Sequence, residues 1–278
     1  MAAPRIAVLG HVEHVTLGRF PGVLQPGTVV HMQDARFVPA GGGGIAFAQM
    51  CRSEAEIHLF TAVGNDEAGR AVEARIRAHG ERVHVHAAVR EVEHPRVVVV
   101  VDGQGHRTIF VTREPLHPGA RDPLPWPVLA TCDAAYFTGT DPDTLRRARG
   151  ARVLVVSARR SEALKAAAIA PDVIVGSVDD PRENRELPSY EPAPGALVLT
   201  DGPRAVRVIR KGSVTLVDPP PAPEHVVGDY GAGDSFAAAL TFFLALGLSV
   251  EEASRRACPC GAAVLRGLDP LEVQVPLA

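Results

Sequence analysis

Gly231-Ala232-Gly233-Asp234-Ser235-Phe236 is a glycine-rich turn that runs directly into an apolar-faced helix, Ser235–Leu246. The helix carries Phe236, Leu240, Phe243 and Leu244 on one stripe, and Gly247 stands just past its end. The first amides of a helix have no partner inside it, and the helix dipole is positive there. Glycines let an anion approach those amides, so the turn suits a phosphate or a charge that develops in a transition state. Asp234 stands at the same end, where a carboxylate can take a proton from an attacking hydroxyl. Taken alone, the residues also fit a plain structural role, with a turn at Gly233 and Asp234 as an N-cap.

Upstream of this turn the chain alternates strand and helix. Arg5–Leu9, Glu56–Val63, Ala134–Phe137, Val153–Ser157 and Val173–Gly176 are short apolar runs of the kind found in buried parallel strands. Between them, helices are expected at Ile45–Arg52, Asp66–His79, Asp143–Ala148 and Ser161–Ile169. Ala196–Thr200, Ala205–Arg210 and Ser213–Val217 read as three strands, at least two of them antiparallel. Additional β-structure is expected in two places. Thr28–Val38 reads as one or two strands, and His84–Val89 precedes a hairpin of Arg96–Val101 and Thr108–Val111 around Asp102-Gly103-Gln104-Gly105. Ser249-Val250-Glu251-Glu252 has the pattern of a capping box opening a last helix toward Arg266, with Pro259 as an expected kink. One α/β domain with a small β appendage accounts for this order better than two equal domains.

The 278 residues are 46% hydrophobic and 22% charged, as in a globular protein and unlike a disordered chain. A net charge of −3 gives no general attraction for nucleic acid or an anionic membrane. Four scattered cysteines, Cys51, Cys132, Cys258 and Cys260, are too few for a disulfide framework and read as thiols. Met1–Gly10 reads as leading into a first strand rather than as a signal peptide, and no run has the length of a membrane span. A cytoplasmic location is the expectation.

Several sharper readings lack support. Neither lysine, Lys165 or Lys211, follows a glycine, which excludes a P-loop. A Gly-Asp-Ser esterase would need a downstream histidine base, and the last histidine is His225. Gly41, Gly43 and Ala46 fit G-x-G-x-x-A with Asp66 twenty residues on, but the first strand, Arg5–Leu9, leads to no helix. A nicotinamide-dependent oxidoreductase therefore rests on the glycine run alone. His11-Val12-Glu13-His14, and the pair His84 and His86 on one strand face, lack a third metal ligand at recognisable spacing.

Three segments in order give the most specific signal. They are Gly41-Gly42, then Val63-Gly64-Asn65-Asp66-Glu67-Ala68-Gly69, then Gly231–Phe236. With the closing helix pair, they resemble the ribokinase-like (PfkB) family of sugar and nucleoside kinases over nearly the whole chain. The resemblance implies a three-layer αβα sandwich with a mainly parallel central sheet. It also implies a single kinase domain over residues 1–278, with a discontinuous β lid from about 12–37 and 84–112 that often dimerises. The implied reaction moves the γ-phosphoryl group of ATP to a hydroxyl of a small sugar, nucleoside or polyol. Asp234 would be the base, and the amides of Gly231, Ala232 and Gly233 the anion hole. Gly41 and Gly42 would line the acceptor site. Relatives often bind sugar hydroxyls through an Asp at the position of Val15, so Glu13 is expected to take that role. Ser177, Thr200, Gly202 and Cys258 match nucleotide-contacting positions, and Asp180 would act on Mg²⁺ through water. Ala46, Ser177 and Gly228 depart from the family's usual residues, the last at a monovalent-cation position, so potassium activation is left open. These departures also motivate an alternative, a non-catalytic ligand-binding relative.

Overall fold

Ile6, Ala7, Val8 and Leu9 are all fully buried, and a strand with no solvent face must have a layer on each side. The computed structural model describes residues 3–278, so Met1 and Ala2 of the N-terminal reading lie outside the described residues. In chain order, the first half contains β1 (Arg5–Leu9), β2 (Glu13–Arg19), β3 (Gln33–Ala40), α1 (Gly41–Met50), β4 (Glu56–Gly64), α2 (Glu67–Arg77), β5 (Val83–Arg90), β6 (Arg96–Val101) and β7 (Arg107–Val111). The second half contains β8 (Ala134–Phe137), α3 (Pro142–Ala148), β9 (Val153–Ser157), α4 (Ser161–Ala167), β10 (Val173–Ser177), β11 (Ala196–Asp201), β12 (Arg204–Arg210), β13 (Ser213–Val217), α5 (Ala232–Ala245), α6 (Val250–Val264) and α7 (Pro270–Val273).

Nine strands form one sheet in the order β13-β12-β11-β10-β9-β8-β1-β4-β5, parallel except for β12 and β13. Alternation along β1 sends Ile6 and Val8 to one face, where Phe47, Val72, Phe236 and Leu240 pack from α1, α2 and α5. Ala7 and Leu9 face the opposite layer, with Leu145 of α3 and Leu164 of α4. This is the expected αβα sandwich. A second sheet, β3-β2-β6-β7, has its own apolar side of Val15, Leu17, Val38, Val97 and Val99. It is mixed, because β2 pairs antiparallel with β3 and parallel with β6. No helix among the described residues is long and apolar enough to cross a membrane.

Three expectations need correction. His84–Val89, assigned to the lid, belongs to β5, which pairs in parallel with β4 at the edge of the large sheet. The second half of the small sheet thus begins at Arg96. The glycine run does not precede its helix but forms its first turn. Glycine has poor helix propensity, and tertiary contact decides here: a Cβ on Gly43 would lie 2.6 Å from the His11 carbonyl oxygen. Pro259 lies within α6, where the sequence places it. The Ser249 side chain caps α6 through the Glu252 amide at 3.2 Å, but the Glu252 carboxylate pairs with Arg255 and Arg256, so only half of the box forms.

Candidate active site

From β1 the large sheet grows to one side through β4 and β5, then returns to add β8 to β11 on the other side. In open α/β sheets the crevice beyond the carboxyl ends of the strands at such a reversal takes the ligand. Gly10 and His11 follow β1 there, and Thr138 follows β8, its amide donating to the Leu9 carbonyl at 2.9 Å. Two helix N-termini, those of α1 and α5, arrive at the same point.

At α1 the Gly41 amide donates to Tyr230 Oη at 3.4 Å, and the Gly42 amide donates to His11 Nε2 at 3.3 Å. That bond puts the His11 proton on Nδ1. Burial, and then the His117 and Arg160 charges, hold His11 well below its usual pKa, so the ring is neutral. A Cβ on Gly41 would lie 3.0 Å from Glu13 Oε2, and one on Gly42 would lie 3.3 Å from Asp234 Oδ1 and 3.2 Å from Thr138 Oγ1. Four of the expected residues, Glu13, Gly41, Gly42 and Asp234, are therefore neighbours.

At α5 the N-cap is Gly231, at φ +87°, and no side chain caps the helix, so Asp234 does not have the N-cap role. The Ala232 amide, expected in the anion hole, donates instead to the Asp229 carbonyl at 3.3 Å and closes the turn. The amides of Gly231, Gly233 and Asp234 make no hydrogen bond among the described residues. Nothing lies within 4 Å of the Cβ direction of Gly233, so this end is open to an approaching anion.

Both carboxylates are shifted upward. Burial pushes Asp234 to about 6; the Glu183 charge adds to this, and Arg159, Arg107 and Arg160 oppose it. Burial also pushes Glu13 to about 7, with the Asp234 charge as the next cause. A folded-state pKa raised above the unfolded value makes the folded form the better proton binder. For Glu13, stability then falls as pH rises from about 4.5 to about 7, and the loss is full above that window. Glu13→Gln is accordingly expected to stabilise the protein at pH 8 by about 1–3 kcal/mol, with no gain at pH 4. Thermal melts of the two forms at both pH values check this; equal melting temperatures at pH 8 would contradict a destabilising carboxylate.

Of the residues expected at the nucleotide, Ser177, Thr200 and Gly202 lie at the ends of β10 and β11. Ser177 and Thr200 are register partners, and Thr200 Oγ1 donates to the Gly176 carbonyl at 3.2 Å. Gly202, at φ +54°, makes the turn after β11. Cys258, by contrast, is buried within the large core cluster beside Ala257 and Cys260. Asp180 is half-buried, and its carboxylate is already engaged. One carboxylate oxygen accepts from Arg159 at 2.8 Å and from Arg182 at 2.9 Å, and the other accepts the Arg182 amide at 2.9 Å. The Arg182 hydrogen bond holds its carboxyl down to about 2. Engaged in this way with two arginines, the Asp180 carboxylate does not fit as a ligand to a hydrated magnesium ion. Glu183 accepts the Ser177 amide at 2.9 Å and also pairs with Arg159.

Sequence reading missed His11, Thr138, Arg159 and Arg160 as site residues. A usable signal existed for the arginines, because only Ala158 separates them from the carboxyl end of the apolar strand β9, where ligands of α/β sheets bind. His11 and Thr138 hold equivalent places after β1 and β8.

Comparison with known proteins gives a concordant picture. The family model described as pfkB family carbohydrate kinase matches residues 3–270. No curated protein matches the chain significantly. Among solved structures, a candidate ribokinase from Agrobacterium tumefaciens superposes with a TM-score of 0.80 at 18% identity, over 99% of this chain and 95% of that one. Adenosine kinase from Sinorhizobium meliloti superposes with a TM-score of 0.76 at 18% identity, over 100% and 97%. Ribokinase from Arabidopsis thaliana, complexed with ribose and ATP, gives 0.73 at 13% identity, over 99% and 96%.

Proposed function

Because the chain belongs to the pfkB family of carbohydrate kinases, we propose that it transfers the γ-phosphoryl group of ATP to a hydroxyl of a small sugar, nucleoside or related polyol. One observation carries this reading. Asp234, with three unpaired amides at its helix end, faces Gly42 at the reversal point of the sheet. Asp234 takes the proton of the acceptor hydroxyl as its oxygen forms a bond to the γ-phosphorus. The bridging bond to the β-phosphate breaks, and ADP carries the electron pair away. The amides of Gly231 and Gly233 face the charge on the transferring group. Glu13 accepts from acceptor hydroxyls beside Gly41. His11 Nδ1, His117 Nδ1 and Arg160 Nε are buried without a hydrogen-bond partner among the described residues, which suits a ligand rich in hydroxyls. Thr200 and Gly202, at the end of β11, would hold ATP. Magnesium accompanies ATP and supplies charge neutralisation.

In this reading the whole chain acts as one kinase unit, with the small sheet as its lid. Its edge strand β7 exposes Ile109, Phe110 and Val111, an unpaired apolar edge of the kind that a second copy can cover.

The direct test is ADP release with Mg²⁺ against a panel of sugars, nucleosides and polyols. Tight ADP binding with no turnover on any acceptor would favour a ligand-binding relative, and a nicotinamide absorbance change an oxidoreductase. Once an acceptor is found, Glu13→Gln should raise its KM about tenfold with kcat less affected. An unchanged KM would remove Glu13 from the acceptor site. The pH profile follows from the carboxylate shift. A base must be ionised, so kcat should fall about tenfold per pH unit below about 6 and level off above it. A profile flat from pH 5 to 8 would contradict Asp234 as the base.

A further inference from the structure

Four ionisable side chains outside the candidate active site converge on one face of the β4–β5 pair. Glu56 and His58 project from β4, His84 and His86 from β5, and His58 and His84 are register partners. A single carboxylate oxygen, Glu56 Oε1, lies 3.0 Å from His58 Nε2 and 3.5 Å from His84 Nε2. The ligand atoms of Glu56, His58 and His84 all lie within 4.8 Å of one another. Zinc bonds of about 2.0–2.1 Å in a tetrahedron put neighbouring ligand atoms about 3.3 Å apart, so two edges already have that length. The third closes by a turn of the His84 ring, whose side chain is 42% exposed.

We propose that Glu56, His58 and His84 form a binding site for a borderline divalent transition metal, with Zn²⁺ as the fitting ion and water in the fourth position. Two imidazoles and one carboxylate are the donor set such ions prefer over magnesium or calcium. The other nitrogen of His58, Nδ1, lies 3.1 Å from His86 Nε2. With its proton on Nδ1 donated to His86, His58 presents the Nε2 lone pair to the ion, the usual outer-shell arrangement for a ligating histidine. Glu56 stays ionised and keeps its second oxygen on Arg5 at 2.9 Å.

The place in the fold suggests a structural role. Glu56 begins β4, so the cluster lies toward the amino end of the strand pair, whereas the candidate active site lies beyond the carboxyl ends. β5 is an edge strand whose one strand neighbour is β4, and an ion shared between them would cross-link that edge. Without metal, the same groups can form a hydrogen-bond relay from His86 through His58 to Glu56.

The test uses the full chain, chelator-treated, titrated with Zn²⁺ by calorimetry and with Co²⁺ by visible absorption. One ion per chain is expected, with the intense visible bands of a tetrahedral Co²⁺ site and a rise in Tm of a few degrees at saturation. His84→Ala removes a half-exposed ligand without disturbing the core and should abolish binding, bands and Tm shift together. His86→Ala leaves the ligands in place and should weaken binding by about 10–100-fold. No ion bound by the wild-type chain would leave only the relay and overturn the proposal. Binding that His84→Ala leaves intact would overturn it as well, because the ion would then sit elsewhere.

Discussion

Asp234→Asn is expected to lower kcat by about 10³-fold while changing the affinity for ATP or ADP by less than about threefold. General-base removal typically costs about 10²–10⁴-fold. The middle of that range applies because the other carboxylates nearby have other places: Glu13 stands against Gly41 rather than Gly42, Glu183 is committed to Arg159 and the Ser177 amide, and Asp180 to Arg159 and Arg182. Asparagine preserves shape and the helix end, so nucleotide binding should survive. The substitution also removes a half-buried charge. Asp234 is raised from 3.8 to about 6, so its ionised form costs stability above that window. The inactive variant should therefore be more stable than the parent at pH 8, by about 1–2 kcal/mol, and no more stable at pH 3.5. Higher Tm with lost turnover is the signature of a functional carboxylate held against its own preference. Steady-state rates, nucleotide titration and melts at two pH values measure all three. Near-normal turnover would remove Asp234 from the base role, and a fall in Tm would give it a structural one.

The parts that the sequence discloses well depend on local pattern. Strands β8, β9 and β10 are apolar runs with clear ends, and the α5 turn announces itself by two glycines before an apolar stripe. Where the reading failed, the deciding contact was remote in sequence. The Gly41–Gly44 run is helical because its backbone packs on the residues after β1 and before α1, such as His11 and Pro39, which propensity cannot register. His84–Val89 alternates like any half-buried strand, and nothing within it says which sheet it joins. That pairing, once made, is also what sets His84 against His58. Position in the motif places the Ala232 amide in the anion hole, yet the turn itself uses it. The carboxyl-end rule for α/β sheets would have selected Arg159 and Arg160 if applied to β9 as well as to the glycine turns.

Gly231→Ala carries the second large expectation, a loss of about 2–4 kcal/mol of stability together with about a 10²-fold fall in kcat. Gly231 sits at φ +87°, where an L residue with a Cβ is disfavoured by roughly 1–2 kcal/mol. The added Cβ would lie 2.9 Å from Ile45 Cδ1 and 3.1 Å from Pro270 Cβ. Ile45 is fully buried, so relief has to move α1 or the α5 turn, and overpacking of this kind costs about 1–3 kcal/mol more. Both movements reach the chemistry. α1 carries Gly41 and Gly42, and the α5 turn carries the free amides and Asp234, whose Oδ1 stands close to Gly42. Gly233→Ala is the control, because its backbone is ordinary and its Cβ direction is clear. That variant should melt within about 1–2 °C of the parent, or slightly above it, since alanine is the better helix former. If Gly231→Ala melts like the parent, the backbone argument fails. If it melts low yet keeps full kcat when folded, the turn is a structural joint, and the anion must be held elsewhere than at the α5 amides.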